Sequence, residues 1–244
     1  MGMVENEYPL ALVTGAVHRL GHAFARSLAR QGYAILLHYH LSRDEAETAA
    51  IDLRSLGVPV YPFQADLTVP GQIHALFQFL DTLPHPVRIL VNSAAVMPRA
   101  DIRRMALDDW DNVLNLNLRA PFLLAQAAAE RMPAGGLIVN LTDSGASKAW
   151  TGFPAYIVSK AGLESLTRVL ARAYAPGIRV NAIAPGLVLP GNSLQAGQWE
   201  KLVERLPQKR PAAVEQVVMA LDYLIRNEAV TGQIVVVDGG YSLI

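Results

Sequence analysis

Residues 137–160 read L-I-V-N-L-T-D-S-G-A-S-K-A-W-T-G-F-P-A-Y-I-V-S-K. The first five residues form a largely apolar run interrupted only by Asn140, which suits a buried strand. A loop carrying Asp143 and Ser144 follows. The chain then enters a helix near Pro154, because the first helical turn has no use for the missing N–H. Tyr156 and Lys160 stand four residues apart, so on that helix they share a face one turn apart. An ammonium beside a phenol favours the phenolate, so Lys160 is expected to lower the Tyr156 pKa. A tyrosine tuned in this way is a proton donor and acceptor. A surface Tyr and Lys on an amphipathic helix would give the same spacing, so the pair gains meaning only from what surrounds it.

The same strand–helix alternation extends in both directions. Upstream, Y-P-L-A-L-V-T-G is a strand ending in glycine, and Leu20, Ala23, Phe24, Ser27 and Leu28 fall at helical spacing before a stop at Gly32. Y-A-I-L-L-H-Y-H is a second strand. The charged segment after it is a helix with Ser42 as its cap. V-P-V-Y-P-F-Q-A-D is a third strand, and its prolines point to an edge or an irregular position. A helix over 72–83 and the strand V-R-I-L-V-N follow. One long helix over 107–132 is expected to kink at Pro121. Downstream lie the strand I-R-V-N-A-I-A-P-G, a polar excursion over 187–210, a helix over 213–226 and a last strand, Q-I-V-V-V-D-G-G. This order predicts an α/β fold: a single doubly wound Rossmann-type domain over 1–244, with a seven-stranded parallel sheet flanked by helices.

The bulk numbers narrow the function. The 244 residues are 52% hydrophobic, enough for one large core, and carry no formal net charge. Nothing in that balance replaces phosphate counterions, so nucleic acid is not an expected partner. No cysteine is present, which excludes disulfides and thiolate metal sites, and the histidine spacing predicts no metal. The first residues lack a basic segment followed by an apolar run, and no apolar stretch reaches membrane-spanning length. The expectation is a soluble, cytoplasmic protein.

In a doubly wound sheet, ligands bind at the carboxyl ends of the strands. The first strand ends T-G-A-V-H-R-L-G, from Thr14 to Gly21. Its glycines let the backbone approach a pyrophosphate, and the following helix supplies N–H groups and positive potential. The second strand ends His38-Tyr39-His40-Leu41-Ser42-Arg43, with no acid before Asp44. An imidazole, a hydroxyl and a guanidinium suit a 2′-phosphate better than a ribose diol, so the expected cofactor is NADP(H). An exposed arginine at a helix start is the plainer reading of Arg43.

Together these pieces resemble the short-chain dehydrogenase/reductase family over nearly the whole chain. Thr14–Gly21 is similar to its glycine motif, with Arg19 where the middle glycine usually stands. Asp66-Leu67 resembles the pair that contacts adenine, and Asn92-Ser93-Ala94-Ala95 the asparagine motif after strand four. Asn117 matches the asparagine of the proton relay, Tyr156 and Lys160 the catalytic pair, and Pro185-Gly186 the turn after strand six. The resemblance implies a cofactor lying across Gly15, His18, Arg19, Leu20 and Gly21. Further contacts come from His40, Ser42, Arg43, Asp66, Leu67, Asn92 and Ala94, and from Tyr156, Lys160, Pro185, Gly186 and Val188. It also implies a homotetramer, with contacts through the helices around Asn117 and Tyr156.

A narrower likeness is to the pteridine reductase and dihydromonapterin reductase branch. It rests on T-G-A-x-x-R-L-G, on H-Y-H-x-S, on Asp143 where most of the family has serine, and on V-D-G-G-Y-S-L near the end. The branch carries a serine and an aromatic after the asparagine motif, and an arginine after H-Y-H. Here Ala95-Val96-Met97 and Leu41 stand instead. The substrate would then meet Met97, Asp143, Tyr156, Gly186 and Leu187, under a lid over 187–210 that includes Leu194 and Trp199.

The resemblance implies hydride transfer from the nicotinamide, with Tyr156 as proton donor, Lys160 on the ribose, and Asn117 ordering a water. An ionised Asp143 accepts hydrogen bonds only, and suits a substrate that gains a proton at nitrogen, such as a pterin C=N. A protonated Asp143 would donate as serine does, which requires a raised pKa. Alternatively, Asp143 caps a turn while Ser144 or Thr142 meets the substrate. Three functions stay open: an NADPH-dependent pterin reductase, a carbonyl or 3-oxoacyl-type ketone reductase, and a non-catalytic NADP-binding regulator.

Overall fold

Residues 8–191 and 196–244 are described by the computed structural model. Along the first strand, β1 (Leu10–Val13), side chains alternate in direction, as a pleated strand requires. Ala11 and Val13 enter one apolar layer with Phe24, Leu28, Leu53 and Leu221. Leu10 and Leu12 enter the other with Leu76, Phe77, Leu124 and Leu170. Both faces of the sheet are therefore dry, and the strands need no polar alternation.

The strands run β1, β2 (Ala34–Tyr39), β3 (Val60–Gln64), β4 (Val87–Asn92), β5 (Gly136–Leu141), β6 (Ile178–Pro185) and β7 (Ile234–Val237). They form one parallel sheet in the order β3-β2-β1-β4-β5-β6-β7. The expected seven-stranded doubly wound fold is present. β3 is an edge strand, the first of the two positions its prolines allowed, with Pro62 opposite Leu37. The order reverses between β1 and β4, which opens a crevice at their carboxyl ends.

The helices are α1 (Arg19–Arg30), α2 (Arg43–Arg54), α3 (Pro70–Leu80), α4 (Leu107–Leu114), α5 (Ala120–Ala129), α6 (Pro154–Tyr174), α7 (Gln198–Arg205) and α8 (Val214–Arg226). α1 stops before Gly32, whose φ of +84° suits only glycine at low cost. α6 opens on Pro154, as expected. α3 starts two residues before the expected boundary, on a proline at the favoured first turn.

The long helix expected over 107–132 differs from its prediction. Its irregularity is a turn of π-helix at Asn115–Arg119, joining α4 to α5 upstream of Pro121. Pro121 itself sits in the first turn of α5, where its missing N–H costs least. A widened turn of this kind re-aims one side chain, and here the buried residue within it is Asn117.

A candidate active site in the crevice

The cofactor side is a backbone cradle. Gly15 has a φ of +63°, and a Cβ there would lie 3.1 Å from the Ala94 Cα. A Cβ at Gly21 would lie 2.1 Å from the Gly15 carbonyl oxygen, so a side chain at that position would break the turn. The Thr14 hydroxyl oxygen accepts from the Ser93 and Ala94 N–H groups at 2.9 and 3.0 Å, tying the ends of β1 and β4 together. The crevice holds a cavity of about 630 Å³, lined on one side by Gly15, His18, Arg19, Leu20 and Gly21 and on the others by His40, Asp66, Leu67 and Ala94. That volume falls within the range of cofactor sites.

His38 was not singled out as a site residue, yet it organises this cradle. It is 3% exposed. The Gly15 N–H donates to its Nδ1 at 3.1 Å, so the proton lies on Nε2, which donates to the Ala65 carbonyl at 3.0 Å. Burial pushes its imidazole down to about 4, so it is neutral at ordinary pH. The signal in the sequence is a polar residue inside an apolar strand run, which must find partners once buried.

Other expected cofactor contacts are placed less directly. Arg19 has a φ of +51° at the position of the family's middle glycine. Its guanidinium donates to the carbonyls of Leu189 and Pro190 at 3.0 and 2.9 Å, so it spans to the segment after β6. His40 is half exposed, its Nε2 3.8 Å from the Asp66 carboxylate. Ser42 occupies the N-cap position of α2 but makes no side-chain cap bond. Arg43 is exposed at the first position of α2, and neither it nor Ser42 lines the cavity. Asn92 is buried; its amide donates to the Asn140 side chain at 2.8 Å across β4 and β5, and Asn140 donates onward to Thr167. Pro185 is buried, Val188 and Leu187 are half-buried, and Met97 is 44% exposed. Gly186 packs on Asp238 so tightly that a Cβ would lie 2.6 Å away. Trp199 lies half-buried on α7, and Leu194 falls outside the described residues.

The candidate catalytic side is built from buried polar side chains. The Tyr156 hydroxyl donates to Asp143 Oδ2 at 2.7 Å. The Gly145 N–H donates to Asp143 Oδ1, also at 2.7 Å. Asp143 thus caps a turn and meets the tyrosine at once. Both carboxylate oxygens act as acceptors, the pattern of the ionised form. Burial raises the Asp143 pKa, against the lowering effects of Tyr156, Gly145 and Lys160.

The expected effect of Lys160 on Tyr156 is corrected by this geometry. The Lys160 ammonium donates to the Leu141 carbonyl at 2.6 Å and lies 5.7 Å from the tyrosine ring centroid. Burial, followed by the Asp143 charge and hydrogen bond, holds the Tyr156 pKa well above its ordinary value. Helical spacing gave the right neighbours, and the tyrosine hydroxyl goes to Asp143. Desolvation lowers Lys160 itself to about 8. A phenol held protonated beside a carboxylate is poised to donate a proton, as reduction requires.

The buried Asn117 side chain clamps the loop after β4. Its Oδ1 accepts from the Val96 N–H at 2.9 Å, and its Nδ2 donates to the Val96 carbonyl at 2.9 Å and to Ser159 Oγ at 3.1 Å. Ser159 donates to the Tyr156 carbonyl, which joins the π turn to the catalytic helix. Beside Tyr156 lies a third apolar cluster with Val113 and Ala155 at its centre. Trp110, Trp150 and Phe153 pack against it, aromatic groups the sequence reading passed over. Among the described residues, no group of acids and histidines is arranged to hold a metal ion.

Residues 15–242 match the family described as enoyl-(acyl carrier protein) reductase. The 3-oxoacyl-(acyl-carrier-protein) reductase FabG of Staphylococcus epidermidis is 31% identical over 237 residues, covering 94% of this chain and 97% of its own. The chain belongs to the short-chain dehydrogenase/reductase family. An NADPH-dependent aldehyde reductase-like chloroplastic protein of Arabidopsis thaliana is also 31% identical, over 95% of this chain and 93% of its own. The crystal structure of FolM alternative dihydrofolate reductase 1 from Brucella canis, complexed with NADP, superposes with a TM-score of 0.91 at 33% identity. That match covers 98% of this chain and 95% of the other. As a short-chain dehydrogenase/reductase, the protein is an oxidoreductase, and no helix among its described residues is long and apolar enough to cross a membrane.

Proposed function

We propose that this protein reduces a pterin-like C=N bond with NADPH. The observation that carries the reading is the Tyr156 hydroxyl bound to Asp143 at 2.7 Å. A carboxylate beside the proton donor disfavours an alkoxide product but tolerates a nitrogen that ends up protonated. The cofactor is NADP(H), held over the crevice by the glycine turn, with His40 on the cavity wall and Ser42 and Arg43 at the start of α2 as the groups available to its 2′-phosphate. The NADP complex of the Brucella FolM protein supports this choice. Arg19, beside the glycine turn, meets the phosphates when they bind. When bound, the cofactor supplies the hydride. Tyr156 supplies the proton, Asp143 shares it, Lys160 binds the ribose, and Asn117 holds the frame around them. Met97, Gly186 and Leu187 face the substrate.

A second reading, reduction of a 3-oxoacyl or other ketone, is favoured by the likeness to FabG. A non-catalytic regulator has no need of the Asn117–Ser159–Tyr156 frame. The protein acts as a single domain, as a cytoplasmic homotetramer joined through α4, α5 and α6, where Phe122, Val158 and Val169 are exposed. The test is NADPH oxidation with dihydrobiopterin and dihydrofolate beside a panel of 3-oxoacyl thioesters and small ketones. Turnover concentrated on the pterins is expected, and turnover confined to the ketones would favour the second reading. Sedimentation should give a tetramer; a monomer would overturn that part.

A further inference from the structure

The loop between β5 and α6 carries Asp143 and spans 142–153, long for a segment that must place a carboxylate to within half an ångström. Its own hydrogen bonds account for only part of that placement. Ser144 N–H donates to the Pro185 carbonyl, and Ala146 and Lys148 N–H groups close local turns onto Asp143 and Gly145. The rest comes from the far end of the chain. The Lys148 ammonium donates to the Tyr241 main-chain oxygen at 2.5 Å and to the main-chain oxygen of Ile244. It also lies 4.3 Å from the centroid of the Tyr241 ring. The Tyr241 ring is in turn 5.8 Å from that of Trp150.

Trp150 transmits this contact to the catalytic group. Its ring covers Gly145 so closely that a Cβ there would lie 2.4 and 2.5 Å from two ring carbons. The N–H of Gly145 is the donor that fixes Asp143 Oδ1. On its other side the segment is anchored by Asp238, whose two carboxylate oxygens accept from the Gly240 and Ser242 N–H groups at 2.8 and 2.7 Å. A continuous path of contacts therefore runs from the end of β7, through Tyr241–Ile244, to the carboxylate that touches Tyr156.

We propose that Tyr241–Ile244 braces the catalytic loop, and that Lys148 and Trp150 are positioning residues acting through it on Asp143. The inference rests on the reading of Asp143 and Tyr156 as the proton-delivering pair. Lys148→Met keeps the aliphatic stem and removes the donor. It is expected to lower kcat about tenfold, since small misplacements at a reacting centre cost this much or more. The NADPH Kd, measured by fluorescence titration, should stay within about twofold, because the cradle formed by Gly15 and His38 is not involved. Lys148→Arg should recover most of the loss.

Deleting Ser242–Ile244 should lower kcat in the same direction, and combining it with Lys148→Met should add little, as coupled groups in one path behave. The deletion is also read alone if Lys148→Met does not fold. A folded Lys148→Met protein with wild-type kcat, an equal loss of kcat and NADPH affinity, or additive effects in the double variant would overturn the brace. Asp143→Asn, assayed in parallel on the substrate that turns over, separates the two levels. If it loses turnover while Lys148→Met does not, only the brace fails. If it too keeps turnover, the reading of the pair itself fails.

Discussion

The two ends of the crevice are built from different materials. The cofactor end is a matter of backbone shape: glycines that admit no Cβ, a threonine tying two strand ends, and a neutral histidine joining Gly15 to Ala65. The catalytic end is a matter of buried charge: a carboxylate raised by burial, a phenol raised by burial and that carboxylate, and an ammonium lowered to about 8. The first arrangement costs little to keep and binds. The second is held against desolvation, and its cost is linked to its chemistry. Substitutions at Tyr156 or Asp143 should therefore leave cofactor affinity nearly untouched, and substitutions in the cradle should leave kcat nearly untouched.

The largest expected effect is at Tyr156. Tyr156→Phe removes only the hydroxyl, and kcat should fall by roughly 10²–10⁴-fold, the usual worth of a positioned proton donor. NADPH titration of the same variant should give a Kd within about twofold of wild type. A parallel loss of cofactor affinity would show that the two ends are not separable.

Lys160 sharpens the contrast through pH. Its folded pKa is lowered to about 8 from 10.5, so between those values the unfolded chain holds more protons. This group then adds stability as pH rises through that window and adds none of that gain below it. Urea unfolding of wild type and Lys160→Met from pH 7 to 10.5 should show the wild type gaining on the order of 3 kcal/mol relative to the variant. A flat difference would remove the buried ammonium from the account.

At the other end, His38→Ala strands the Gly15 N–H and the Ala65 carbonyl. Losing one such bond is worth about 1–3 kcal/mol. Cofactor Kd should rise about tenfold while kcat at saturating NADPH stays within about twofold. A fall in kcat with unchanged Kd would place His38 in the wrong half of the comparison.

The smallest effect is on stability. Asp143 has a raised folded pKa, so its contribution is present while the carboxyl is protonated and is lost as pH rises through that folded value. Asn lacks that loss. Asp143→Asn should raise Tm at neutral pH, and the gain should vanish in acid. Scanning calorimetry at two pH values checks both the sign and its disappearance.

What the sequence made legible follows the same division. The strand–helix alternation is written in local apolar runs, so the sheet, its edge strand and the crevice were readable. Tyr156 and Lys160 were readable as neighbours because helical spacing places them, and Asp143 was marked by the resemblance to the pteridine reductase branch. Hydrogen-bond partners were not, since they depend on groups far apart in the chain. His38 meets Gly15 and Ala65 only after three strands pair. Lys160 donates to a carbonyl of β5, and the Tyr156 hydroxyl to Asp143. Pro121 pointed to a kink, yet the helix widened upstream of it, at Asn115–Arg119, where Asn117 reaches Val96 and Ser159. The aromatic cluster of Trp110, Trp150 and Phe153 gathers from separate segments, so no local pattern marked it as part of the site.

The central claim is that a carboxylate beside Tyr156 selects a substrate protonated at nitrogen. Its most direct test is Asp143→Ser, with NADPH turnover measured on dihydrobiopterin and on the ketone panel side by side. Turnover should move away from the pterin and toward carbonyl substrates. Equal or higher pterin turnover in the serine variant would contradict the role given to Asp143.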